Sequence, residues 1–384
     1  MPTTVLKNVI YRFLLPFCAP GCGRNPVSGL TGHELICRSG FEKLIRKHHV
    51  LGSATLLSSG NQSTLVFTSS ASPQHIARSD SFFRVASITK IATAVLTMRL
   101  VDQHLLDLDT PVGTYFESSS VSSLLDGITL RHLLSHTAGL LDPPDLESSL
   151  ETGRPFTELA ETARFCQPGN TFRYSNFGYG LIGCVMEAVL GMPIGEIFRK
   201  HLFEPLNMNA TLEGCLLPAD RIMPVSRILP YHKGQDLILT TLGSKPLSLP
   251  DPLRHYGHTA GSMYTDICSL HSLLRVLITN ETHFLSDHAL MEMKKKHASY
   301  GPISPTLSYG LGLLLINDSL ISTSCIYGHQ GFAYGCADGA FWENDTGRVL
   351  ITLNGGCSEA RSGRLGLANR DFMHWAFRKE LPSW

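Results

Sequence analysis

The chain has 384 residues, 43% of them hydrophobic and 17% charged, enough to build one large globular unit or two closely joined ones around an ample core. Its 32 basic and 32 acidic residues balance to a formal charge of zero with no basic block, which argues against nucleic acid as the main partner and for a small molecule or short peptide. No stretch reaches the roughly 18 apolar residues of a membrane-spanning helix, and ten cysteines without framework spacing point to a reduced, cytoplasmic protein with mostly buried thiols.

Residues 1–38 read as an irregular arm rich in Gly, Pro and Cys. Its apolar run 13–17 is short and broken by Pro16, so it reads as mature protein and not as a signal-peptide core. Cys18, Cys22 and Cys37, with His33 nearby, lack the second matched pair of a metal site. From Gly40 onward Phe41, Leu44 and Ile45 share one helical face, and two β-type runs, 50–57 and 64–68, flank a turn at 58–61 to make a hairpin. An extended stretch from Ser81 leads to Ser87, after which Ile91, Val95, Met98 and Val101 carry a helix to about Gln103. Thr129 is placed to cap a second helix that stops at 136–140.

The turn-rich approach at 168–173 precedes an apolar helix over 180–190, ended by Gly191-Met192-Pro193, and a further helix over 194–202. Prolines and weak periodicity mark 213–257 as a long structured loop of the kind that borders a site. A helix follows from Thr265-Asp266 to about Leu277; then the period returns to two, with strands at 311–316, 324–329, 337–342 and 349–354 and a closing helix over 367–379. This order predicts a sheet assembled from both chain ends, 39–86 and 300–384, with a mostly helical portion, 87–299, inserted and the active site between the two.

Three short motifs carry chemistry. In Ser87-Ile88-Thr89-Lys90 a helix starting at or just before Ser87 puts Lys90 on the same face one turn on, where a partly neutral amine can take the serine proton. In Tyr174-Ser175-Asn176 the phenol is a proton-transfer group whose pKa a neighbouring ammonium would lower, and Asn176 can accept from that ammonium and donate to a substrate carbonyl. Gly328-His329-Gln330-Gly331 reads as a strand whose glycines let substrate approach, so that the N–H after Gly331, that of Phe332, joins the N–H of Ser87 around an oxyanion.

With the stretches 128–140, 172–180, 202–208 and 260–266, these motifs resemble the serine β-lactamase and penicillin-binding protein superfamily. The resemblance is to the branch of class C β-lactamases, D-stereospecific peptidases and related esterases, and it runs from about Phe41 to Phe377. It implies an α/β plus α fold with an antiparallel sheet flanked by helices. It further implies Ser87 as the acylated nucleophile, Lys90 as its proton partner, Tyr174 as base, Asn176 as holder of a substrate amide, and no cofactor or metal. His329 stands where many β-lactamases have lysine; a largely neutral ring there can donate without a full charge, and β-lactam hydrolysis is then not assumed.

The activity expected is that of a metal-independent serine hydrolase of esters, amides or peptides. The alternatives are an acyltransferase using the same acyl-enzyme, a β-lactamase or DD-peptidase, and a scaffold without activity. Glu204 reads as the structural end of a helix, His136 and Thr137 as loop-fixing hydrogen bonders, and His258, near the Ala260-Gly261 turn, as structural in the first place with bordering the pocket as its alternative. Neither G-x-S-x-G nor H-E-x-x-H occurs in the chain.

Overall fold

The computed structural model describes residues 27–28, 35–60, 62–68, 76–169, 171–226, 245–333 and 335–377, with backbone alone at 27–28 and 35–39. Most of the arm, including Cys18, Cys22 and His33, lies outside these residues, as do the middle of the 213–257 loop and the chain beyond 377.

Nine strands form one antiparallel sheet in the order Val27–Ser28, Gln62–Thr68, Ser53–Ser59, Val349–Asn354, Cys336–Glu343, Ile326–Ala333, Leu314–Ile316, Leu307–Tyr309, Ala298–Ser299. The chain ends meet at its centre, where Val349 lies opposite Ser58 and Asn354 opposite Ser53. Because successive side chains alternate between faces, Leu57, Phe341 and Leu350 enter one core while Leu56, Trp342 and Ile351 enter the other. Helices cover both faces, so Val349–Asn354 is buried along its whole length.

On one face Leu35–Lys47 packs on Leu367–Ala376, with the Phe41 ring 5.9 Å from Phe372 and 5.4 Å from Trp375. Asp371 accepts from Lys47 Nζ at 2.6 Å and pairs with His48 Nε2 at 2.7 Å, tying the end of the first helix to the middle of the second. On the other face Ile267–Ile278 meets the central strands. Its first turn is capped by Asp266, which accepts from Ser269 N–H at 2.7 Å.

Helix Thr89–Asp102 is the axis of the inserted portion. It packs against Asn176–Leu190 and His258–Gly261. Asn176–Leu190 is apolar almost all round because it is buried almost all round. Among the described residues no single helix is long and apolar enough to cross a membrane.

Several boundaries differ from the sequence reading. The first helix begins at Leu35, inside the segment read as an irregular arm, and Val27–Ser28 adds an edge strand to Gln62–Thr68. The strand expected at 311–316 is confined to Leu314–Ile316, since Gly312 at φ 76° turns the chain and Gly310 N–H closes onto Leu313 O at 2.8 Å. The helix at 194 changes to a π turn at Arg199–Phe203, where Glu204 pairs with Arg199, in keeping with a structural role. Short helices at Ser119–Leu124, Leu146–Thr152 and Asp287–Lys294 carry too little apolar period to be seen in the sequence.

Candidate active site

Ser87 sits where a strand turns into the central helix. Val85 N–H bonds back to Met263 O, Ala86 takes a left-handed conformation at φ 46°, and a 3-10 turn, Ala86–Ile88, runs into Thr89–Asp102. A non-glycine residue pays for positive φ; the effect here is a sharp corner. Thr89 pins it, donating through Oγ1 to Ala86 O at 2.6 Å and accepting Met263 N–H at 3.1 Å. From Phe83 to Met98 every residue is buried except Ser87, which is half-exposed and lines a cavity of about 280 Å³.

Lys90 lies behind Ser87, with its side chain fully buried. Its Nζ donates to Ala260 O at 2.7 Å and to Asn176 Oδ1 at 2.8 Å, and lies 3.3 Å from Ser87 Oγ. Burial lowers its pKa to about 7, against an opposing pull from the Asp142 carboxylate. A neutral amine has two N–H groups and one lone pair. The two carbonyl oxygens take the N–H groups, and the remaining direction is that of Ser87.

Tyr174 and Asn176 enter from the start of helix Asn176–Leu190, whose N-cap Ser175 accepts from Gly178 N–H at 2.9 Å. Tyr174 lines the same cavity as Ser87, and its ring centre is 4.9 Å from Lys90 Nζ. Burial pushes its pKa well up, so it is a protonated phenol at neutral pH. The expected lowering by an ammonium does not occur, because the phenol is desolvated and the lysine itself is only partly charged.

His136 brackets this segment, accepting Arg173 N–H at its carbonyl (2.8 Å) and Ser175 N–H at Nδ1 (3.2 Å). Its ring lies 4.3 Å from that of Tyr174. It is loop-fixing, as the sequence suggested. Buried beside Lys90 and His329, it is held neutral.

His329 reaches the cavity from strand Ile326–Ala333. Its Nδ1 lies 2.7 Å from Gln330 O, which can only accept, so Nδ1 carries the hydrogen and Nε2 accepts from the Tyr309 hydroxyl at 2.9 Å. Burial and Lys90 hold its pKa down to about 3. Neutrality agrees with the sequence reading, but the ring is not a donor towards substrate: both nitrogens are engaged inside the protein. Gly331 permits the strand to come close, since a Cβ there would lie 2.3 Å from Val85 O. Phe332 lines the cavity with its ring under Arg361, whose guanidinium carbon is 4.1 Å from the ring centre.

Thus Ser87, Tyr174, Asn176, His329 and Phe332 line one cavity, with Lys90 and Gly331 directly behind it. Tyr300, Leu314, Gln330, Arg361 and Arg364 complete the wall and were not singled out from sequence. The two arginines are the cationic groups of that wall; burial lowers the Arg361 pKa without discharging it. His258 does not line the cavity. It is buried with Nδ1 3.3 Å from His255 O, and its role is in the turn that presents Ala260 O to Lys90. Among the described residues no cluster of three or more His, Cys, Asp or Glu side chains is arranged to hold a metal ion.

A model of the family described as Beta-lactamase matches residues 38–355. The chain is 28% identical over 221 residues to "Penicillin-binding protein 4" of Amycolatopsis lactamdurans, covering 55% of this chain and 54% of that protein. It is 25% identical over 346 residues to "Esterase EstB" of Burkholderia gladioli, covering 77% and 83%. The chain therefore spans about half the length of the first relative and most of the second.

Among solved structures, the D-amino acid amidase from Ochrobactrum anthropi SV3 complexed with D-phenylalanine superposes with TM-score 0.64 at 22% identity, over 85% of this chain and 93% of that one. The penicillin binding protein from Bacillus halodurans gives 0.66 at 20%, over 86% and 97%. At these identities the structures establish the fold, an antiparallel sheet with flanking helices. With the family model matching most of its length, the chain belongs to the Beta-lactamase family.

Proposed function

We propose that this chain is a serine hydrolase that forms an acyl-enzyme on Ser87 with an ester, amide or short peptide substrate. The observation that carries the reading is the environment of Lys90: a buried amine with a pKa near 7, both N–H groups taken by carbonyl oxygens, and Ser87 Oγ in the third direction. In this reading Lys90 Nζ takes the proton as Ser87 Oγ attacks the carbonyl carbon. The phenol of Tyr174, protonated and lining the cavity with Ser87, donates to the departing group. Lys90 thus keeps the role its spacing from Ser87 suggested, and Tyr174 acts as acid where the resemblance implied a base. The N–H groups of Ser87 and Phe332 receive the oxyanion, and Asn176 offers its second amide N–H to the substrate.

Relatives named as penicillin-binding protein, esterase and D-amino acid amidase support ester or amide cleavage as the chemistry. The cation in the wall is supplied by Arg361 and Arg364 and not by residue 329, which favours substrates with an anionic group. A fluorophosphonate probe is expected to label the protein and to lose its target in Ser87→Ala. Turnover of p-nitrophenyl acetate, nitrocefin and a D-amino-acid p-nitroanilide, compared side by side, then ranks ester, β-lactam and amide. A folded protein that neither labels nor turns over any of the three contradicts the proposal.

A further inference from the structure

Asp142 lies outside the three motifs, at the far end of the loop that begins at His136. Its carboxylate accepts from three consecutive residues: Oδ1 from the Ser175 hydroxyl at 3.1 Å and Phe177 N–H at 2.9 Å, and Oδ2 from Asn176 Nδ2 at 2.8 Å. We propose that Asp142 is the positioning residue of this site, fixing the Asn176 amide so that its oxygen faces Lys90 and its nitrogen keeps one N–H for the substrate. The inference rests on the reading of Ser87 and Lys90 as the reacting pair.

An ionised carboxylate only accepts, and of the two ends of an amide only the nitrogen donates. With Asp142 on one side and Lys90 on the other, one orientation of Asn176 satisfies both. Turned over, the amide would set its oxygen against a carboxylate and its N–H groups against the amine of Lys90. Asp142 is itself anchored, because Phe177 N–H belongs to the first turn of the 15-residue helix Asn176–Leu190, where a negative charge is favourable. The same loop holds the other flank of Tyr174 through His136, so residues 173, 175, 176 and 177 hang from one support.

A second consequence is electrostatic. Lys90 is faced by Asp142 beyond Asn176, by the neutral rings of His136 and His329, and by the phenols of Tyr174 and Tyr179. Asp142 alone of these carries a negative charge, and it opposes the discharge that burial imposes on the lysine. Removing that charge makes the lysine easier to deprotonate, while the amide it relied on loses its single orientation.

The test compares Asp142→Asn, Asp142→Glu and Ser175→Ala with the parent. It reads thermal midpoint, kcat and KM for p-nitrophenyl acetate, the pH profile of Ser87 labelling, and the Lys90 ionisation by NMR with labelled lysine. Asp142→Asn retains a cap for Phe177 N–H but turns a donor towards Asn176. It is expected to lower kcat about a hundredfold, the cost of a misplaced reacting group, with KM little changed and the acid limb of the profile moved to lower pH.

Asp142→Glu is expected to recover much of kcat and the original limb. Ser175→Ala, which weakens the cap without touching the charge, should lower the thermal midpoint and leave the limb where it was. The proposal is overturned if Asp142→Asn leaves kcat and limb unchanged, or if Asn and Glu variants lose activity only in step with thermal stability. Lack of Ser87 labelling in the parent would contradict the hydrolase reading instead. The Lys90 titration needs no turnover, and a Lys90 pKa unmoved by Asp142→Asn overturns the role of Asp142 by itself.

Discussion

At Lys90, burial and the negative charge of Asp142 pull in opposite senses, and their balance near pH 7 is what makes the side chain usable as a base. Below that pH the group is an ammonium with no lone pair for Ser87; above it the amine is free. Acylation is therefore expected to rise with pH through about 7 and then level, as read by the rate of Ser87 labelling. His329 contributes no step of its own to the profile near neutrality, since its ring stays neutral down to about pH 3. Tyr309→Phe leaves His329 Nε2 buried without its donor. It should cost about 1–3 kcal/mol of stability in a denaturant titration while leaving the limb in place. The wall arginines are tested by Arg361→Ala with Arg364→Ala. The pair is expected to raise KM for a succinyl p-nitrophenyl ester about tenfold and to leave the acetyl ester nearly unaffected.

At the scale of elements, the site depends on one close approach: strand Ile326–Ala333 running past the Val85–Ala86 corner. Gly331→Ala puts a methyl group 2.3 Å from Val85 O, so strand or corner must shift. It should cost about 1–3 kcal/mol and lower kcat more than it raises KM. Local chemistry made much of this site readable from sequence. Ser87 with Lys90 and Tyr174 with Asn176 are neighbours along the chain, and the helix caps Thr129 and Asp266 announce themselves by residue type. Asp142, Tyr309, Arg361 and Arg364 were not readable, because each meets its partner across a distance in sequence that no spacing rule encodes. The 3-residue strand Leu307–Tyr309 was lost, and the strand read at 311–316 was drawn too long, for a related reason: Gly310 and Gly312 interrupt the alternation that would mark them.

Over the whole molecule, the sheet is closed by its last long strand. Val349–Asn354 pairs with Cys336–Glu343 on one side and Ser53–Ser59 on the other, and the helix Leu367–Ala376 seals the face where Leu35–Lys47 lies. The apolar runs at both chain ends made this joining legible in the sequence, whereas the edge strand Val27–Ser28, two residues in a Gly- and Pro-rich segment, gave no period to follow. Phe372→Ala opens a cavity where the two helices meet and should destabilise the protein by about 3–5 kcal/mol with the Ser87 corner intact. The chemistry of the site turns on Ser87 being acylated with Lys90 as its base. The most direct test is mass spectrometry of the protein after reaction with a fluorophosphonate over a range of pH. A single adduct is expected on the peptide containing Ser87, formed at a rate that rises through about pH 7 and is lost in Lys90→Ala. An adduct on another residue, or a rate on Ser87 that ignores both pH and Lys90, would contradict it.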